Sequence, residues 1–124
     1  MPVRQVLVAD DDARCRGAMT RMLAPLALEI AEAHSGFSAL ELVRWRRFDL
    51  FIIDALMAPM SGVELIERLH WLGVTAPVLV VSSLDADTIS ATLAAPRALR
   101  HVRKPVVATA LVAAVTAALE PTMA

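Results

Sequence analysis

The sequence is short of cysteine, of net charge and of long apolar runs, and each shortage removes a class of protein. Cys15 is the single cysteine among 124 residues, which excludes an intrachain disulfide framework and fits a reducing, cytoplasmic compartment. It sits in a helical pattern beside Arg14, Arg16 and Gly17 and reads as a bystander. The formal net charge is only −1, which argues against a general electrostatic affinity for nucleic acid. The longest weakly polar stretch, "VVATALVAAVTAAL" from Val106 to Leu119, falls short of the roughly 20 residues that span a bilayer. The apolar N-terminal run is interrupted by Arg4 and Gln5 and closes on an acidic triplet, so it is no signal peptide. With 57% hydrophobic residues, the chain has enough apolar material for one folded domain over residues 1–124, without a membrane segment.

What remains is a regular alternation. Four short runs rich in Val, Ile and Leu stand out: "QVLVA", "DLFIID", "PVLVVS" and "HVRK", with a weaker fifth, "LEIAEA" from Leu28. Between them, apolar residues recur three and four apart, the helical period. Ala13 to Leu23 places Ala18, Met22 and Leu23 on one side and leaves Arg14, Arg16 and Arg21 to water. Gly36 to Trp45 turns Phe37, Leu40 and Val43 inward; Gly62 to Leu72 uses Val63, Ile66 and Leu69. Ile89 and Leu93 anchor a short helix from about Asp85, and Val106 to Leu119 makes the last. Ser61 and Glu64 form an S-x-x-E capping box. Pro25, Pro59, Pro77 and Pro121 fall at element boundaries. Five strands alternating with helices predict a parallel sheet covered on both faces, an α/β architecture.

In such sheets, ligands bind beyond the carboxyl ends of the strands. The first strand ends at Asp10-Asp11-Asp12, the third at Asp54, the fourth at Ser82-Ser83, and the fifth at Lys104-Pro105. Two carboxylates about 4 Å apart repel by roughly 4 kcal/mol at an effective dielectric near 20. Solvent, a helix N-terminus or a cation must offset that repulsion. Taken singly, each strand end has an ordinary reading: Asp12 and Ser82 as caps, Lys104 as a solvated surface residue. Their conjunction at one sheet edge is what carries information.

At these residues the chain resembles the receiver domain of two-component response regulators, typified by the single-domain chemotaxis regulator. "VLVADDDAR" resembles the acidic first loop, "FDLFIIDALMAPMSGVEL" the phosphoacceptor segment, "APVLVVSS" the fourth strand with its terminal hydroxyl, and "VRKP" the Lys-Pro pair. "AEAHSGFSALEL" is similar to the second strand and helix. The resemblance implies a doubly wound five-stranded sheet in flavodoxin-like order 2-1-3-4-5. It implies a signalling phosphoacceptor rather than an enzyme, taking a phosphoryl group on Asp54 from a histidine kinase or phosphotransfer protein. Asp11, Asp54 and the backbone carbonyl of Leu56 are then direct ligands of Mg²⁺ (or Mn²⁺ in its place), with Asp10 acting mostly through water. Lys104 brings a mobile positive charge to the phosphate. Ser82 and His101 are the switch pair, and helix 4, strand 5 and helix 5 form the surface for an output protein or a homodimer. No effector segment follows in this sequence, so the expectation is a receiver acting alone.

Several positions depart from the family pattern. Pro59 comes one place late after Met57-Ala58, Ser61 replaces a common Asp, and Leu56 is apolar where many members are polar. His101 stands where Tyr or Phe is usual, and "AAPRALRHV" lacks the usual Gly-Ala pair. Leu56 reads either as neutral drift or as a shield for the acyl phosphate. His34 and His70 lack partners at metal-ligand spacing, and "RWRR", Arg44 to Arg47, reads as a solvated helix end. A degenerate receiver used as a binding scaffold is the alternative, but the acceptor, the acidic pair and the lysine are all present. A haloacid dehalogenase would need Thr or Val where Ala13-Arg14 follows, plus further catalytic segments. A flavodoxin would need a hydroxyl- and Gly-rich phosphate loop after the first strand.

Overall fold

The computed structural model describes residues 2–92 and 99–120. Its elements follow in the order β1 (Gln5–Ala9), α1 (Ala13–Met22), a 3-10 turn (Ala24–Leu26), β2 (Glu29–Ala33), α2 (Gly36–Trp45), β3 (Leu50–Asp54), α3 (Gly62–Trp71), β4 (Val78–Ser82), α4 (Ala86–Thr92), β5 (Arg100–Arg103) and α5 (Ala108–Leu119). All strand pairs are parallel, in the order β2-β1-β3-β4-β5. This is the five-stranded, doubly wound sheet that the alternation predicts. Leu93, Pro121 and most of "AAPRALRHV" lie outside the described residues.

The strand period of two divides the core into two layers. Leu7, Phe51, Ile53, Val78 and Val80 face α2, α3 and Ile89 of α4. Val6, Val8, Ile52, Leu79, Val81 and Val102 face α1 and α5 through Met19, Leu23, Leu111 and Val115. Covering both faces makes β3 and β4 buried along their whole length, as central parallel strands require. Local chemistry fixes the helix starts. Asp12 accepts from the N–H groups of Arg14 (2.8 Å) and Cys15 (3.4 Å) to cap α1. Ser61 accepts from the Glu64 N–H (3.1 Å) to cap α3, while the Glu64 carboxylate turns along the helix to Arg68 (3.3 Å). The reciprocal capping box instead opens α2, between Ser35 and Ser38.

Four sequence-based placements need correction. Phe37 points outward and is 58% exposed, because Ala39 rather than Phe37 holds the buried face of α2. On α3 the buried position is Leu65 rather than Val63, beside Ile66 and Leu69. Met19, not Ala18, meets the sheet from α1. Arg16 is not left to solvent; it folds back onto the end of β1. On α5, Leu111 and Val115 cover the sheet with Ala114 partly buried beside them, so the outward face comprises Thr109, Ala110, Ala113 and Thr116. α4 carries an exposed carboxylate, Asp87, in its first turn.

Candidate functional site

Register brings the strand ends to one level. Ala9 pairs with Ile53, Asp54 with Val81, and Ser82 with Arg103. Asp10 therefore emerges beside Asp54, and Lys104 follows directly after β5. The edge is held by backbone bonds from Asp10 N–H to Ala33 C=O (3.1 Å), Ala55 N–H to Val81 C=O (3.1 Å), and Lys104 N–H to Ser82 C=O (2.9 Å).

Three carboxylates converge there. One oxygen each from Asp10, Asp11 and Asp54 lies within 4.8 Å of the others. Asp10 and Asp54 are buried whereas Asp11 is exposed. Lys104 Nζ is 3.1 Å from Asp54 Oδ2 and 3.5 Å from Asp10 Oδ2. Burial pushes the Asp10 carboxyl above the ordinary range. A hydrogen bond from the Asp12 N–H (2.9 Å) and the Lys104 charge offset only part of that, while the Asp54 charge adds to it. Burial alone would pull the Lys104 ammonium down; its hydrogen bond to Asp54 and the charges of Asp54 and Asp10 leave it raised instead. Asp12 takes no part in this cluster. As the α1 cap it is held below the ordinary carboxylate range by the Arg14 and Cys15 N–H groups.

One lysine against three carboxylates leaves a net negative cluster built only from oxygen donors, two of them buried. That donor set matches a hard divalent cation, which prefers carboxylate and carbonyl oxygens. The acceptor-side loop is oriented by two further bonds: Leu56 N–H to Asp54 Oδ1 (3.1 Å) and Ala58 N–H to Asp11 Oδ2 (3.1 Å).

A family model described as the response regulator receiver domain matches residues 6–116. The chain belongs to the response regulator receiver family. It is 34% identical over 86 residues to the response regulator MprA of Mycobacterium sp. (strain KMS), and 33% identical over 86 residues to MprA of Mycobacterium tuberculosis (strain ATCC 25618 / H37Rv). Each alignment covers 69% of this chain, and the chain spans 37% of the length of these relatives. The fold is similar to the signal receiver domain of an HD domain-containing protein from Pseudomonas fluorescens Pf-5 (TM-score 0.85, 24% identity, 95% of both chains). It is also similar to the chemotaxis response regulator CheY4 of Vibrio cholerae (TM-score 0.84, 22% identity, 95% of this chain and 100% of that one). At these identities the structural likeness speaks for the fold alone.

Within this receiver, Ser82 is fully buried and its Oγ accepts the Leu84 N–H (3.0 Å), which leaves the hydroxyl proton for another acceptor. His101 is half-buried on β5 opposite Val80, and its Nε2 is buried without a hydrogen-bond partner among the described residues. Leu56 is 56% exposed beside the acidic cluster.

Two site-supporting residues escaped the sequence reading. Arg16 Nη1 donates to the Asp10 backbone carbonyl (2.7 Å), and its Nε meets Glu32 at 3.0 Å. The residue thereby ties the ends of β1 and β2 together. Side chains on a helix lean toward its N-terminus, so an arginine one turn after the Asp12 cap reaches the strand end; that spacing was the available signal. Gly62 is the second. A Cβ there would lie 2.0 Å from the Asp54 carbonyl oxygen, an approach that a sequence does not display.

Proposed function

We propose that this receiver accepts a phosphoryl group on Asp54 from a histidine kinase or phosphotransfer protein in a Mg²⁺-dependent reaction, with Mn²⁺ as a substitute. The observation that carries the reading is the buried Asp54 carboxylate, 3.1 Å from Lys104 Nζ and clustered with Asp10 and Asp11. Asp10, Asp11, Asp54 and the Leu56 backbone carbonyl would hold the metal. When bound, it supplies positive charge against the three oxygens of the transferring group.

The chain's own part is positioning. An Asp54 carboxylate oxygen forms the new O–P bond as the donor's N–P bond breaks. The Leu56 N–H and Lys104 hold that carboxylate in one orientation before the donor arrives. Lys104 then follows the phosphoryl oxygens, and the Ser82 hydroxyl donates to one of them. Movement of Ser82 carries the change to His101 and the α4–β5–α5 surface. The uncharged outward face of α5 supports that surface as the contact for an output protein or a second receiver. The reading includes a cytoplasmic protein that contacts neither nucleic acid nor membrane directly. A phosphorylation-independent scaffold is not favoured, since all four groups the chemistry needs are in place.

Phosphoramidate with Mg²⁺ is expected to add one phosphoryl group, seen by intact mass. Chelation or Asp54→Asn should abolish the addition; full labelling of Asp54→Asn would reject the assignment.

Two consequences separate neighbouring residues. Asp11→Ala is expected to weaken Mg²⁺ binding by at least about tenfold, whereas Asp12→Ala, which removes only a cap, should leave the affinity close to wild type. A calorimetric titration with Mg²⁺ checks this, and equal losses would contradict it. Leu56→Glu or Leu56→Asn is expected to shorten the life of the phosphorylated state, because a polar side chain can orient a water for attack where leucine cannot. Dephosphorylation rates measured by mass at intervals decide it, and an unchanged lifetime would return Leu56 to neutral drift.

A further inference from the structure

On the α2–α3 side, four large apolar side chains stand in water: Phe37 (58% exposed), Trp45 (74%), Trp71 (81%) and Leu72 (63%). Ordinary surfaces scatter such residues singly; here Phe37, Trp71 and Leu72 gather around one recess, and Trp45 lies against Arg44 (5.5 Å), which also lines it. A groove of about 580 Å³ runs between the two helices, floored by Phe37, Leu40, Trp71 and Leu72. It adjoins a second recess of about 620 Å³ at the N-terminal edge of the sheet, and the two share Arg44 and Leu72.

Charge around this channel is one-sided. Four arginines (44, 46, 47 and 68) line it against two carboxylates, Glu41 and Asp49. Glu41 is engaged by Arg44 (3.3 Å) and the Trp45 indole N–H (3.1 Å). Asp49 accepts the Gln5 backbone N–H (2.7 Å). Arg68 pairs with Glu64 (3.3 Å). Arg46 lies over the Phe48 ring (5.1 Å) and donates to the Gln5 amide oxygen (2.9 Å), and neither it nor Arg47 has a carboxylate partner among the described residues.

We infer that this channel is a docking groove for an amphipathic helix of a partner protein, with apolar anchors on one face and carboxylates flanking them. An aromatic-floored groove between two helices accepts a ridge of side chains at i, i+3, i+4 and i+7. Each wall is ten residues long, about 15 Å, which matches roughly three turns of helix. Tryptophan and arginine are the residue types that dominate binding energy at protein interfaces. The unpaired Arg46 and Arg47 select acidic flanks. A second copy fits poorly, since a two-fold contact would set the same arginine surplus against itself. The groove lies away from the strand-end site, and its role does not rest on the phosphoacceptor reading.

The probe is a leucine-anchored, glutamate-flanked helical peptide of about four turns without tryptophan, compared with the same peptide carrying lysine flanks. Trp45 and Trp71 are the chain's two tryptophans, so their fluorescence reports binding directly. The acidic peptide should shift the emission to the blue, and more weakly as salt rises. Trp71→Ala should weaken binding by roughly thirtyfold, and Arg46→Glu/Arg47→Glu should reverse the preference toward the lysine peptide. Both variants should keep the wild-type circular dichroism and denaturant midpoint, which shows them folded. Equal binding of both peptides, or of neither, would overturn the proposal. So would a blue shift produced only by anionic vesicles, which would make the groove a lipid contact. Self-association that Trp71→Ala abolishes would make it a dimer face and overturn it too.

Discussion

Gly62→Ala is expected to unfold the acceptor segment from its working position and to lower both stability and phosphorylation. The added Cβ would meet the Asp54 carbonyl oxygen at 2.0 Å, and the Asp54 carbonyl carbon and Ala55 Cα at 2.7 Å. All three are backbone atoms of the segment that presents the acceptor, so no side chain can swing aside. Relief requires that α3 move outward or that the end of β3 shift. The first breaks the Gly62 N–H to Ala55 C=O bond (2.9 Å) and disturbs the seats of Leu65, Ile66 and Leu69. The second displaces Asp54 from Lys104. Overpacking of this kind costs about 3 kcal/mol, and a displacement near 1 Å at a reacting group lowers the rate by about 100-fold. Denaturant unfolding and the rate of labelling by phosphoramidate measure the two losses. A variant with wild-type midpoint and rate would contradict the close approach.

Asp10→Asn is expected to reverse its effect with the metal. Without divalent cation the Asp10 carboxylate is buried with a raised pKa, so the folded state holds its proton more tightly than the unfolded chain does. Its contribution to stability is therefore fully present below the ordinary carboxylate range and is lost as pH rises through the raised value. Asparagine carries no such charge and keeps an oxygen for the Asp12 N–H. At neutral pH without metal the variant should be more stable, since it relieves both the desolvation of the charge and its repulsion by Asp54, while Lys104 keeps Asp54 as a partner. Saturating Mg²⁺ stabilises the wild type by about 2.7 kcal/mol at 100 times the dissociation constant, and the variant should lose most of that gain. Thermal melts with chelator and with excess Mg²⁺ test both halves. A variant less stable than wild type under chelator would contradict the account of the buried charge.

The fold was legible because strand and helix announce themselves by different periods. "DLFIID" and "PVLVVS" are apolar throughout, as strands buried on both faces must be, and the stretches between them repeat at three and four. Residues at the strand ends were legible for a related reason: parallel connectivity puts every carboxyl end on one side, so Asp10, Asp54 and Lys104 had to share an edge. Side-chain direction within a helix was less accessible. Period alone allows Phe37 or Ala39 to face the sheet, and close packing of α2 chose the smaller residue. Arg16 looked like a solvated arginine because its spacing from the Asp12 cap, the one signal it carries, does not show that a backbone carbonyl stands open at the strand end. The contact at Gly62 depends on the angle at which α3 leaves the sheet, a tertiary quantity with no local signature. Phe37, Trp71 and Leu72 gather only after α2 and α3 pack side by side, so the groove they floor was invisible along the chain.

The central claim is that Asp54 is the acceptor, and the most direct measurement locates the acyl phosphate itself. The protein is treated with phosphoramidate and Mg²⁺, then reduced with borohydride, which converts a phosphorylated aspartate to homoserine, and the peptides are sequenced by mass spectrometry. Homoserine at position 54 alone, absent when Mg²⁺ is chelated, is the predicted result. Homoserine at Asp10, Asp11 or Asp12, or none anywhere in a protein that has gained phosphate, would contradict it.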